Sequence, residues 1–266
     1  MSLHFKSLRS SSGGNCLQIW TKNSQIIIDC GFQTQWECEE LLEEHAGRFA
    51  DLDAVLVTHA HTDHICKPSL KVLASQGVRI RANRRVVKQI CSRHGCDDWD
   101  EPPFLDAFPD GAFLAGDLRI IPMEVPHEPG VPNFGFVICH GQGRRERKIV
   151  VCTDFYNYAD VLRHFINADF IFVESNHDLD LLRKYPNDAS QYHLSNPKTA
   201  WLLYHVIRKS EKPPQAVMLG HLSHKRNRKK LALGMVEEVF DRQRMDMDFD
   251  LFAAPLFKPS KTIRID

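Results

Sequence analysis

The sequence predicts an α/β fold, an αββα sandwich of two mixed β-sheets flanked by helices, on three observations. Ten short apolar runs have strand length, six segments carry the helical period, and early runs follow one another as hairpins whereas later ones alternate with helices.

Taken in order, Cys16–Thr21 and Gln25–Asp29 are apolar runs, the second strongly β-branched at Ile26, Ile27 and Ile28. Trp36–Ala46 has helical spacing, and Ala54–Thr58 reads as a buried strand. Helix Pro68–Ser75, strand Val78–Arg81 and helix Arg84–Arg93 follow, the last closed by Gly95. Strands Leu118–Val125, Phe134–Cys139 and Lys148–Thr153 come next, with Gly141–Lys148 as a charged hairpin loop before the third. Helix Ala159–Asn167, strand Phe170–Glu174, helix Asn196–Lys209, strand Ala216–Gly220, helix Arg228–Arg242 and strand Phe249–Ala253 complete the alternation. Beyond Pro259, Thr262–Ile265 either adds an edge strand or stays loose. With no repeat or linker, residues 1–266 are expected to form a single domain.

Lysine plus arginine equals aspartate plus glutamate at 34 each, so no global field recruits nucleic acid or an acidic membrane. Met1–Ser12 lacks the apolar core of a secretory signal, and no stretch approaches a membrane span, so a cytoplasmic protein is expected. Eight cysteines without a Cys-x-x-Cys pair fit reduced thiols. Cys91, His94 and Cys96 have two readings, an unusual zinc site or an ordinary helix end.

The densest chemistry is His59-Ala60-His61-Thr62-Asp63-His64, three imidazoles and a carboxylate in one loop after a strand. His59 and His61, two apart, project to one side of an extended segment, while Asp63 and His64 point elsewhere. That arrangement fits two metal half-sites. Six residues cannot surround two cations, so further ligands must come from other strand ends. His127, Asp154 and His221 each follow a predicted strand. Asp29, ending another, is expected to orient a ligand imidazole or hold the loop.

The ordered set Asp29, His59-x-His61-x-Asp63-His64, His127, Asp154 and His221 resembles the five-motif pattern of the metallo-β-lactamase superfamily, over residues 15–224. The resemblance implies a metal centre at the sheet edges of an αββα fold. It assigns His59, His61 and His127 to one divalent ion, Asp63, His64 and His221 to a second, and Asp154 to both, the metals being zinc or manganese, or else iron. Aspartate at 154, where antibiotic-degrading members commonly carry cysteine, sides with the dinuclear hydrolases. Ser10-Ser-Ser-Gly-Gly-Asn15, Thr153-Asp-Phe155, Glu174-Ser-Asn-His-Asp178, His193-Leu-Ser-Asn196 and Gly220-His-Leu-Ser223 together resemble the bacterial YycJ/WalJ (VicX)-like branch, to which DNA exonuclease activity is attributed. Tyr192 and Cys30 depart from the glycine and small residue usual at those positions.

Such a centre implies hydrolysis by a metal-bridging hydroxide, and a phosphodiester suits it because attacked phosphorus and leaving oxygen can each be served by a metal. Asp63 and His193 are the catalytic candidates, His193 as a phosphate contact or as proton donor to the leaving oxygen. Ser12 and Asn15 sit in a Gly/Ser word that either presents donors to an anion or forms a plain turn. His177 is a substrate contact or a turn residue, and Asn196 a substrate contact or a helix cap. Lys225 opens a basic run through Lys230 that either tracks a nucleic-acid backbone or solvates a helix. DNA is the expected substrate. The competing functions are a hydrolase of a thioester, lactone or cyclic phosphodiester, and a non-enzymatic metal-stabilised regulatory module.

Overall fold

The computed structural model describes residues 2–96, 99 and 103–266. Two seven-stranded sheets face each other. The first contains β1 (Leu3–Ser11), β2 (Gly14–Trp20), β3 (Gln25–Ile28), β4 (Ala54–Val57), β5 (Arg79–Ala82), β6 (Phe104–Ala107) and β14 (Ile263–Ile265), in the order β14-β1-β2-β3-β4-β5-β6. The second contains β7 (Phe113–Ala115), β8 (Leu118–Val125), β9 (Asn133–His140), β10 (Arg147–Cys152), β11 (Phe170–Glu174), β12 (Ala216–Gly220) and β13 (Asp250–Ala253), in the order β13-β12-β11-β10-β9-β8-β7.

Each sheet changes from antiparallel to parallel partway across. β1, β2 and β3 pair antiparallel, then β3 through β6 run parallel; β7 through β10 pair antiparallel, then β10 through β13 run parallel. Parallel neighbours need crossovers, which the helices supply. Helices α1 (Gln35–Ala46), α2 (Lys67–Ser75) and α3 (Arg84–His94) join strands of the first sheet. Those of the second are α4 (Leu162–Phe165), α5 (Leu179–Lys184), α6 (Asn196–Lys209) and α7 (Lys229–Arg242).

The central strands read as unbroken apolar runs because both faces are covered. In β11, Phe170 and Phe172 enter the core between the sheets, whereas Ile171 and Val173 pack with the outer helices. Phe5 of β1 meets both phenylalanines from the facing sheet, ring centroids 4.6 and 5.3 Å apart. In β10 and β12 the same alternation sends Ile149, Val151, Ala216 and Met218 inward and Val150, Val217 and Leu219 outward. Leu202, Leu203 and Val206 of α6 and Val236 and Phe240 of α7 complete the outer layer.

All ten expected strands form, with ends shifted by at most two residues, and the loop expected over Gly141–Lys148 is shorter, since Arg147 and Lys148 already pair within β10. β1 was not expected as a strand: its charged Lys6 and Arg9 alternate with buried Leu3 and Phe5, a half-polar pattern that tertiary pairing recruits. β6, β7 and α5 are also additions, each of six residues or fewer. The helix expected over Ala159–Asn167 shrinks to Leu162–Phe165. Thr262–Ile265 takes the edge-strand alternative, pairing with β1. Gly95 adopts φ 62° and its amide bonds Cys91 O, which favours the helix-end reading of Cys91–Cys96.

Gly31, just after β3, is where two loops touch. A Cβ there would lie 1.9 Å from the Asp63 carbonyl oxygen. Gly31→Ala is therefore expected to cost about 3 kcal/mol or more in a urea melt. Gly234→Ala, at an open position within α7, should instead stabilise by roughly 1 kcal/mol.

Candidate metal centre

The histidine loop leaves the C-terminal end of β4, and the remaining acids and imidazoles leave the ends of β3, β8, β10, β11 and β12. Three of these corners carry a non-glycine residue in the left-handed region: Asp29 at φ 60°, Asp154 at 60° and His221 at 49°. Each costs of order 1 kcal/mol, a cost concentrated where side chains must converge.

His59, His61 and His127 bring ligand atoms within 4.8 Å of one another, as do Asp63, His64 and His221; His59, His64 and Asp154 form a third such group between them. The backbone behind them is cross-tied. Asp29 accepts from the Thr58 amide at 2.8 Å and from His64 Nδ1 at 2.7 Å. That fixes the His64 ring so that Nε2 faces Asp154 and Asp63, at 3.1 and 3.5 Å. Thr58 Oγ1 lies 3.0 Å from His59 Nδ1, and Tyr192 O lies 3.3 Å from His127 Nδ1. Tyr192 thus enters through its carbonyl, a contact its side chain does not dictate.

The electrostatics divide the imidazoles into two sets. Burial holds His59, His61 and His127 below the ordinary histidine range, as does the neighbouring positive charge of the other rings. Burial also opposes charge on His64, His193 and His221, but surrounding carboxylates win: Asp154, Asp29 and Asp63 raise His64 far up, Glu174 and Asp154 raise His193, and Asp154, Asp63 and Glu174 raise His221 to about 10. Burial works against Asp154 and Asp63 as anions, yet the adjacent imidazoles hold both well below the usual carboxylate range.

The residues fit divalent cations. His59 Nε2 and Asp154 Oδ2 are buried without a hydrogen-bond partner, Asp154 Oδ2 lying 3.1 Å from His64 Nε2 but outside hydrogen-bond geometry. His61 Nδ1 and His127 Nε2 face each other at 3.5 Å, two nitrogens held near the neutral form that ligates metal.

Glu174 was not among the expected site residues. Wholly buried at the end of β11, it accepts from the Phe155 and Leu194 amides and lies 3.1 Å from His193 Nδ1 and 3.4 Å from His221 Nδ1. Its place at the end of an apolar run, like that of Asp154, was the available signal. Asn176 likewise donates to His221 O, and Ser10 Oγ accepts from the His221 amide.

The expected substrate contacts fare unevenly. His193 borders the centre and His177 lines a cavity beside it; Ser12 is exposed in the β1–β2 turn. Asn15 is corrected: it is buried, and its amide donates to the Asp63 carbonyl at 3.2 Å, so it positions the histidine loop. Asn196 is corrected too, being wholly buried and bonded to Ser175 and Asn227. Lys225 is exposed with Nζ 5.1 Å over the Tyr185 ring, lining a cavity that includes none of the centre's histidines. The guanidiniums of Arg226 and Arg228 in the same run are turned onto backbone carbonyls.

Convergent imidazoles and carboxylates at the strand ends of a two-sheet α/β sandwich define a metallohydrolase-type centre, and the chain belongs to the beta-lactamase superfamily, whose domain profile matches residues 24–219. Within it, the chain is similar to the protein named exodeoxyribonuclease YycJ of Bacillus anthracis, 29% identical over 253 residues that cover 91% of each chain. It is also 29% identical to the protein named exodeoxyribonuclease WalJ of Streptococcus pneumoniae serotype 2 (strain D39), covering 85% of this chain and 83% of that one. Among solved structures, the metallo-beta-lactamase fold protein YhfI of Bacillus subtilis superposes with a TM-score of 0.76 at 16% identity, over 99% of this chain and all of that one.

Asp29→Ala removes the acceptor that fixes His64 while leaving every convergent nitrogen in place. Metal affinity, read by competition with a chromophoric chelator, should fall by about 10–100-fold.

Proposed function

We propose that this protein is a metal-dependent phosphodiesterase that acts as a DNA exonuclease, with two divalent ions at the strand-end centre. The observation that carries it is the pair of adjacent ligand groups, His59–His61–His127 and Asp63–His64–His221, with Asp154 reaching between them. The 29% identity to two proteins named exodeoxyribonucleases, over most of the chain, supports DNA as the substrate. Imidazole and carboxylate donors suit zinc, manganese or iron.

When bound, the two ions supply charge stabilisation for the phosphoryl oxygens and a nucleophile available at neutral pH. The chain's own residues do the rest. His59, His61 and His127 offer neutral nitrogen lone pairs, and Asp63, His64, Asp154 and His221 add carboxylate charge and two further nitrogens. Glu174 and Asp154 face His193 Nδ1 at 3.1 and 3.5 Å, which holds a proton on the ring and leaves Nε2 to donate to the departing oxygen. Asp63, more exposed than Asp154, borders the reacting side and orients the attacking water. Among the described residues no helix is long and apolar enough to cross a membrane. The buried free thiols at Cys16, Cys30 and Cys152 support action in the reducing cytoplasm.

Purified protein should carry about two equivalents of metal per chain, and a chelator should remove metal and activity together. His61→Ala and Asp154→Ala should each abolish hydrolysis of bis-p-nitrophenyl phosphate while the circular dichroism spectrum stays folded; activity surviving in both would refute the assignment.

A further inference from the structure

Between α3 and the segment that leaves β8 lies a cavity of about 890 Å³ with His127 in its wall. The facing wall is one side of α3: Arg85, Lys88, Gln89, Ser92 and Arg93 recur at three- and four-residue spacing, while Val86 and Ile90 point into the core. Gln89 Nε2 donates to Gly130 O at 2.8 Å and ties the helix to the opposite wall. The two acids in the lining have partners of their own. Glu124 pairs with Arg85 at 2.6 Å, and Glu128 lies 3.6 Å from His61 Nε2 at the metal centre. Lys88, Ser92 and Arg93 are exposed and make no ion pair or side-chain hydrogen bond among the described residues. The groove therefore holds two cations without a paired carboxylate, and it meets the metal centre through His127. The basic run from Lys225 differs on both counts, since it lines a cavity without the centre's histidines and turns two guanidiniums onto carbonyls.

We propose that this groove carries the backbone of a DNA strand to the metal centre, with Lys88 and Arg93 on its phosphates and the Ser92 hydroxyl between them. The inference rests on the phosphodiesterase reading above and extends it to how the polymer is held beyond the bond that is cut. Lys88 and Arg93 stand five residues apart, about 7.5 Å along the helix axis, a separation on the order of one or two phosphate spacings. Contacts of this kind read charge and not sequence. The groove therefore favours a polymer over a small ester and is indifferent to the bases the strand carries.

The test compares metal-loaded wild type with the Lys88→Ala/Arg93→Ala variant on a single-stranded DNA of about 20 nucleotides and on bis-p-nitrophenyl phosphate. The ratio of kcat/KM for the DNA to kcat/KM for the small ester should fall about tenfold in the variant at low salt, as two charge-assisted phosphate contacts dictate. Because the readout is a ratio within one protein, a general loss of activity does not imitate it. Binding of the same DNA, fluorescently labelled, is read by anisotropy in the cleavage-deficient Asp154→Ala background. There the two further alanines should make the plot of log affinity against log salt shallower by about 1.4, the counterion release of two contacts on a single strand. Lys88→Arg alone should keep both values, since the charge is retained. A ratio and a slope unchanged in the double variant would overturn the groove assignment and leave the phosphodiesterase reading standing. An equal fall in Lys229→Ala/Lys230→Ala would overturn it too, because the effect would then come from overall charge. Hydrolysis of bis-p-nitrophenyl phosphate by the wild type without cleavage of the DNA would overturn both the DNA reading and the groove assignment.

Discussion

Three buried carboxylates and a half-buried fourth cannot share one histidine-lined space unless positive charge sits among them. Asp29, Asp154 and Glu174 are almost wholly inaccessible, and Asp63 lies beside them at the mouth. Carboxylates drive His64 and His221 toward the protonated form, whereas at His59 burial and the neighbouring rings outweigh Asp154. A divalent cation held by these residues would meet the same demand in place of the protons. The hydrogen bonds of the strand ends are arranged around that requirement: Asp29 and Thr58 hold His64, and Glu174 faces both His193 and His221.

Neither sheet can build this space alone. The first provides Asp29 and the loop from His59 to His64; the second provides His127, Asp154, Glu174 and His221. Their alignment depends on bonds that cross the sandwich, from the His221 amide to Ser10 Oγ and from the Phe134 amide to Thr58 O, together with the Ser11–Leu222 bridge. The phenylalanine contacts of Phe5 with Phe170 and Phe172 set the spacing behind them. Core packing is thus a term in the chemistry, because sliding one sheet by a fraction of a side chain would separate the two ligand groups.

The convergent residues were legible in the sequence because each stands just past an apolar run, and a strand end in an α/β fold is where side chains leave the core. Glu174 obeys the same rule, but as the last residue of its strand it reads as part of the run. Asn15 and Asn196 mislead for a physical reason. Each follows a small residue, Gly14 or Ser195, in a pattern shared by surface turns and by tightly packed interior turns, and only tertiary burial separates the two. β1 hides in the same way, since alternating Lys6, Arg9, Leu3 and Phe5 carry a weak local preference that pairing with β2 and β14 decides. The basic run from Lys225 shows the limit of reading charge from order alone: two of its guanidiniums serve the chain's own carbonyls.

The left-handed corners at Asp29, Asp154 and His221 bear on how such a protein changes over generations. At these positions the backbone itself filters replacements. Asparagine and glycine enter that conformation most readily, while branched side chains resist it. At position 154 the replacements the backbone accepts best therefore lack the carboxylate's charge, and glutamate, which keeps the charge, lacks the short side chain that settles there. Drift at this corner would thus strip a charge from the candidate centre sooner than it would disturb the sandwich.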